Sequence, residues 1–140
     1  SLPIGHIYPR DSTATSRAYI AWQSKEKIDA WMEKWRPVRY TPATLLTGAE
    51  VRREIAATRR RGYARSAGEF TEGLMALGMP IFDRSGEVIY VFTCSGLLAN
   101  MLPREEVLSR EIMRTAAAIN TAVLAHAPPD FPALPATSPL

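Results

Sequence analysis

One cysteine, Cys94, stands in 140 residues, so no internal disulfide and no zinc site built from several thiolates is available. Histidine is nearly as scarce: His6 and His126 lie at opposite ends of the chain, a poor basis for a metal nest. Long apolar runs are missing too. No stretch reaches the roughly 18 residues that span a bilayer, and no signal peptide opens the chain. Nor does one charge dominate. Seventeen basic side chains face fourteen acidic ones, a formal +3, less than a dedicated nucleic-acid binder usually concentrates on one face. What is present is an ordinary globular mixture, 46% hydrophobic and 22% charged, too apolar for disorder. It is long enough for one core. The expectation is a reduced, cytoplasmic, single-domain protein or fragment with no cofactor and no membrane partner.

Ser1 to Asp11 has two prolines, a glycine and no clear period, and reads as an extended opening segment. From Thr13 to Trp22, Ala14, Ala18, Tyr19 and Trp22 recur at helical spacing, with Ser12 or Thr13 as N-cap. Ser24 caps a second helix whose stripe is Ile28, Trp31, Met32 and Trp35, and Pro37 ends it. A loop follows to Leu46. Thr47 with Glu50 has capping-box spacing, so a third helix should run to about Arg61, with Gly62 as its left-handed terminus. Leu74–Phe82 and Glu87–Ser95 are β-rich and flank Asp83-Arg84-Ser85-Gly86, a hairpin signal. Pro103 suits a helix N1 position, and Leu108, Ile112, Ala116, Ile119 and Val123 carry that last helix to about residue 125. Residues 127–140 hold five prolines and no Lys or Arg, which predicts a disordered or extended tail beyond a domain of residues 1–126.

Helices, then a hairpin, then a covering helix predict an α/β sandwich with an antiparallel sheet flanked by helices. Two strands do not make a stable sheet alone. A third should come from residues 61–70, and the opening segment offers another. The turn predicts pairs whose numbers sum to 169, so that Leu74 faces Ser95, Ala76 faces Thr93 and Gly78 faces Val91. Small residues and hydroxyls thus share one face, the combination a small-molecule pocket needs. A bland explanation competes: Ala and Gly simply let a helix approach. The opposite face, with Met75, Leu77, Met79, Val88, Tyr90, Phe92 and Cys94, should meet the last helix.

Other candidates have plainer readings. Arg52, Arg53, Arg59, Arg60, Arg61 and Arg65 suggest a phosphate patch, but a solvated helix face accounts for them. Ser12-Thr13-Ala14-Thr15-Ser16 begins a helix and offers backbone N–H groups and hydroxyls to a carboxylate or phosphate, or merely caps itself. Glu69 and Glu72 read as turn residues rather than an acid pair. Cys94 lies mid-strand and reads as inert, and no Ser-His-Asp set is legible, so no enzyme is expected.

Several of these segments fall in a familiar order: Arg61-Gly62-Tyr63-Ala64, Glu69, Gly73, Met79-Pro80-Ile81-Phe82-Asp83, Gly86, and Cys94-Ser95-Gly96. Together they resemble the effector-binding domain of IclR-type bacterial transcriptional regulators. Pro9 to Ala18 sits where that family has P-L-H-x-T-A-x-G-K-A, with Asp11 for the histidine, Ser16-Arg17 for Gly-Lys, and Thr93 for the first serine of S-x-S-G. These departures bear on the ligand, not the fold. The resemblance covers about residues 2 to 125. It implies a GAF-like fold, truncated at its N-terminal side and lacking the DNA-binding domain, in a homodimer or tetramer that reaches DNA only through that missing domain. It also implies a pocket for a small-molecule effector, an organic acid by preference. By position its lining would be Ala14, Thr15, Ser66, Leu74, Ala76, Thr93 and Ser95. The hairpin reaches four of these independently and the helix start two more; Ser66 rests on the resemblance alone. The alternatives are an oligomerisation module whose pocket has collapsed and, more remotely, a GAF-like enzyme using Cys94.

Overall fold

A computed structural model describes Pro9 and residues 11–132. Along the chain run α1 (Ala14–Ile20), α2 (Lys25–Lys34), α3 (Gly48–Arg61), β1 (Ala64–Ala67), β2 (Leu74–Phe82), β3 (Val88–Leu97), α4 (Leu98–Met101) and, after a 3₁₀ turn at Leu102–Arg104, α5 (Glu105–Ala122). The helix starts are where the hydroxyls predict them. Thr13 Oγ1 accepts from the Ser16 amide and Ser24 from Lys27, while Thr47 and Glu50 form the full reciprocal box. Gly62 ends α3 at φ 86°, a conformation that penalises a Cβ. The α2 stripe is only half-buried, because that helix lies at the edge of the fold. Pro103 falls inside the 3₁₀ turn and not in the first turn of α5.

The sheet is antiparallel in the order β1-β2-β3, and β1 is the third strand that stability required. The hairpin register departs from expectation. Ala76 pairs with Ser95, Gly78 with Thr93 and Ile81 with Tyr90, two residues further along β3 than the predicted sum. The shift has two causes. The Asp83 amide donates to the Glu87 carbonyl, closing a three-residue loop with Gly86 at φ 86°, and that adds one residue. A β-bulge between Ile81 and Phe82 adds another, leaving Ile89 unpaired. Two single slips restore the original face, so 74, 76, 78, 91, 93 and 95 still lie together. The bulge does move Val88, which packs with Phe82, Ile20 and Trp22 on the α1 side and not under α5. Tyr90 is 70% exposed.

Met75, Leu77, Met79 and Ile81 bury against Ile112, Met113 and Ala116 of α5, with Phe92 and Cys94 beside them. The other face carries α1 and α3. Ala14 and Ala18 lie on Ala64, and Val51 and Ile55 join Phe82 and Trp22. Residues 127–132 are docked, not a free tail. Phe131 lies 4.9 Å from the Trp22 ring and 5.3 Å from Phe82, edge-on. Asp130 pairs with Arg59, and the His126 amide donates to the Asp83 carbonyl. The apolar area of Phe131 supplies the reason. A strand from the opening segment, and the tail beyond residue 132, lie outside the described residues.

Candidate functional site

The hollow begins with a glycine. A Cβ on Gly78 would stand 2.8 Å from the Ala14 carbonyl oxygen, so its absence lets α1 lie directly on β2. At this position the bland explanation holds: backbone, not empty space, fills the room. One pair further along, Ala76 is not covered in this way. Between the start of α1, the β1–β2 turn and the exposed face of β3 lies a cavity of about 710 Å³, within the usual ligand-pocket range of roughly 300–1,000 Å³.

All seven residues singled out from the sequence line this cavity: Ala14 and Thr15 from α1, Ser66 from β1, Leu74 and Ala76 from β2, Thr93 and Ser95 from β3. Thr13, Ser16, Phe70, Thr71 and Met75 complete it. Thr13 and Ser16 belong to the hydroxyl-rich helix start. Phe70 and Thr71 went unread because only the acidic member of their turn carries a motif. Phe70 packs edge-on against Tyr40 at 5.2 Å, a contact from a loop thirty residues earlier that no local pattern shows. The hydroxyls differ in what they are bound to. Ser66 Oγ donates to the Ser12 carbonyl at 2.5 Å, so its proton is committed to holding the chain just before α1. Thr15 Oγ1 and Thr93 Oγ1 share a hydrogen bond of 3.1 Å across the exposed seam between α1 and β3. Thr93 and Ser95 themselves are exposed, and no charged side chain lines the hollow.

A buried ion pair holds its walls. Arg17, 1% exposed, sets two guanidinium nitrogens against the two Glu69 oxygens at 3.1 and 2.8 Å and also donates to the carbonyls of Asp11 and Arg65. Glu69 in turn accepts from the Ala67 amide. Thr41 and Thr44 donate to the carbonyls of Gly68 and Glu69 from the preceding loop. One guanidinium therefore joins α1, β1 and the acidic turn through four hydrogen bonds. The other arginines are mostly spoken for: Arg52 pairs with Asp29, Arg59 with Asp130, Arg61 with Glu54 and Arg65 with Glu105. Cys94 lies under α5, across the sheet from the cavity. No cluster that could hold a metal ion occurs among the described residues, and none of their helices is long and apolar enough to cross a membrane.

Comparison with known proteins identifies relatives of the chain. Residues 1–121 match the family described as bacterial transcriptional regulator IclR C-terminal. The HTH-type transcriptional regulator XynR of Escherichia coli (strain K12) is 28% identical over 113 residues, which cover 81% of this chain and 45% of that protein. The chain thus spans about half the length of the curated relatives it matches. A solved IclR transcriptional regulator from Silicibacter sp. TM1040 superposes with a TM-score of 0.83 at 25% identity, over 95% of this chain and 52% of that one. A double mutant of the PobR inducer-binding domain from Acinetobacter, solved with 3-hydroxybenzoic acid, shares the fold at a TM-score of 0.71 and 22% identity, over 83% of this chain and 67% of that one.

Proposed function

Since the chain belongs to the family of IclR C-terminal domains of bacterial transcriptional regulators, we propose that its cavity receives a small organic acid and that occupancy sets the DNA affinity of a longer, cytoplasmic regulator. One observation carries this reading: hydroxyls from α1 and β3 converge with Leu74 and Ala76 on a single hollow of about 710 Å³ that the chain leaves unfilled. The relatives it matches are regulators, not enzymes.

A monocarboxylate suits the lining. Arg17 is consumed by Glu69, so an anion meets neutral donors: Thr93, Ser95 and the Ala14 and Thr15 amides at the start of α1, the Ser16 amide being taken by Thr13 Oγ1. Two separate charges would find no counter-ion. Apolar contact with Leu74, Ala76 and Phe70 supplies the remaining affinity. A ligand shifts an equilibrium only by binding two arrangements unequally. The Thr15–Thr93 bond offers such a difference: a carboxylate that takes the proton of the donating hydroxyl replaces one hydrogen bond between α1 and β3. The two arrangements would belong to a dimer or tetramer, with DNA contacted by a separate domain.

The test is thermal stabilisation by a panel of small acids beginning with 3-hydroxybenzoate. A hundredfold excess over Kd should add about 2.7 kcal/mol, a shift of several degrees. Ser95→Ala and Thr93→Val should lose most of that shift while melting near the parent in the absence of acid. A panel that leaves the melting curve untouched, or variants that respond like the parent, would sink the reading.

A further inference from the structure

Resting on that reading, we infer that the segment 126–132 regulates the cavity: docked, it fixes the far end of α1 and keeps the arrangement that holds the acid, and lifted, it weakens that hold. The docked state is built into the surfaces it touches. Phe131 packs on Trp22 and Phe82 and reaches both large clusters of the core. Two glycines leave room for the segment. A Cβ on Gly62 would stand 3.1 Å from Pro132, and one on Gly86 would stand 3.3 Å from the His126 carbonyl oxygen. Docking also carries a cost. Trp22 is 6% exposed, yet its indole Nε1–H has no hydrogen-bond partner. A buried donor left unpaired opposes the closed arrangement, and lifting Phe131 off the ring lets water reach it. Closure thus sets a ring contact and a half-exposed ion pair against an orphaned donor, the balance of an element that opens locally.

Arg59 carries the state of the segment to α1. Its Nε and Nη2 donate to the Asp130 carboxylate at 2.5 and 3.2 Å, while Nη1 donates to the Ala21 and Gln23 carbonyls at 2.9 and 3.4 Å. The guanidinium carbon lies 4.9 Å from the centre of the Trp22 ring. Ala21 is the C-cap of α1, a helix of seven residues, about 10 Å long, that moves as one piece. Arg17 fixes its middle, while Ala14 and Ala18 rest on Ala64 through methyl groups that do not interlock. Its tilt is therefore set at the two ends, by Arg59 at one and by the Thr15–Thr93 seam, where the acid binds, at the other. Acid and segment bear on one movable element, so each changes the other's hold by the same factor.

The experiment measures the affinity of 3-hydroxybenzoate by calorimetry, well below melting, for the parent, Phe131→Ala and Asp130→Asn. Neither residue lines the cavity. Phe131→Ala should weaken binding about fivefold and Asp130→Asn about twofold. Asp130 is half-exposed, so its variant keeps the test valid even where Phe131→Ala folds poorly. The reciprocal effect is read at the Trp22 indole proton by hydrogen exchange. In the parent, added acid should slow that proton only up to the same factor of about five. The amide of Leu77, fully buried on the central strand, opens by global unfolding and should keep slowing as acid is added. A merely structural segment gives variants that melt earlier yet bind as the parent does, and a Trp22 proton that follows Leu77. Either result overturns this inference and leaves the acid-binding reading standing. If neither 3-hydroxybenzoate nor any other small acid binds the parent, it is the acid-binding reading that has failed.

Discussion

Arg17 illustrates what single residues do here. Its guanidinium is buried, makes four hydrogen bonds and is paired with a buried carboxylate, so its removal would strand Glu69 rather than merely subtract an attraction. Arg17→Met should therefore cost about 3–5 kcal/mol in urea denaturation. Pairing it with Glu69→Leu should restore much of that loss, and a double variant no better than the single would show that the pair is not the cause. None of this was legible in the sequence, where Arg17 stood out only as a departure from a motif and Glu69 as a turn residue. The two are fifty-two positions apart, and what joins them is the packing of α1 on β1. Leu74, Ala76, Thr93 and Ser95 were legible because hydroxyls and small side chains at period two mark a face irrespective of the partner strand, whereas Ala14 and Thr15 came from the helix start and Ser66 from the resemblance alone. For the same reason those four strand residues withstood the wrong register. A single slip would have turned Thr93 and Ser95 under α5; the loop and the bulge each contribute one, and the face returns.

At the scale of elements, helix starts were readable because a cap needs only residues within one turn of each other. The segment 127–132 was not, since its prolines suggest an extended chain and say nothing of Phe131 finding Trp22 and Phe82. Its docking has an electrostatic component. The Arg59 guanidinium, hydrogen-bonded to Asp130, holds that carboxyl below the ordinary aspartate value. A lowered folded-state pKa contributes stability that is present above the unfolded value, roughly pH 4, and is lost as pH falls through the folded value. Acidification toward pH 3 should therefore weaken the Phe131–Trp22 contact, read as loss of their proton–proton Overhauser effects. Asp130→Asn should weaken that contact at neutral pH and make it insensitive to acid. Retention of the full pH dependence in the variant would assign it to another group. Asp83, whose carboxyl is likewise held low by the Ser85 hydroxyl and then by turn amides, is the group to examine next.

For the molecule as a whole, one face of a three-stranded sheet is sealed by α5 and the other is only partly covered by α1 and α3. The uncovered part is where hydroxyls and small residues collect, and a fold built only to oligomerise would have no reason to keep a hollow over Ala76 while filling the one at Gly78. The most direct measurement is amide chemical-shift mapping during titration with 3-hydroxybenzoate and hexanoate. Saturable shifts should concentrate at Ala14, Thr15, Ser66, Leu74, Ala76, Thr93 and Ser95, leaving Cys94 and the α5-facing positions Leu77 and Met79 still. Shifts centred beneath α5, or spread without saturation over the arginine-rich surface of α3, would contradict the cavity as the site of recognition.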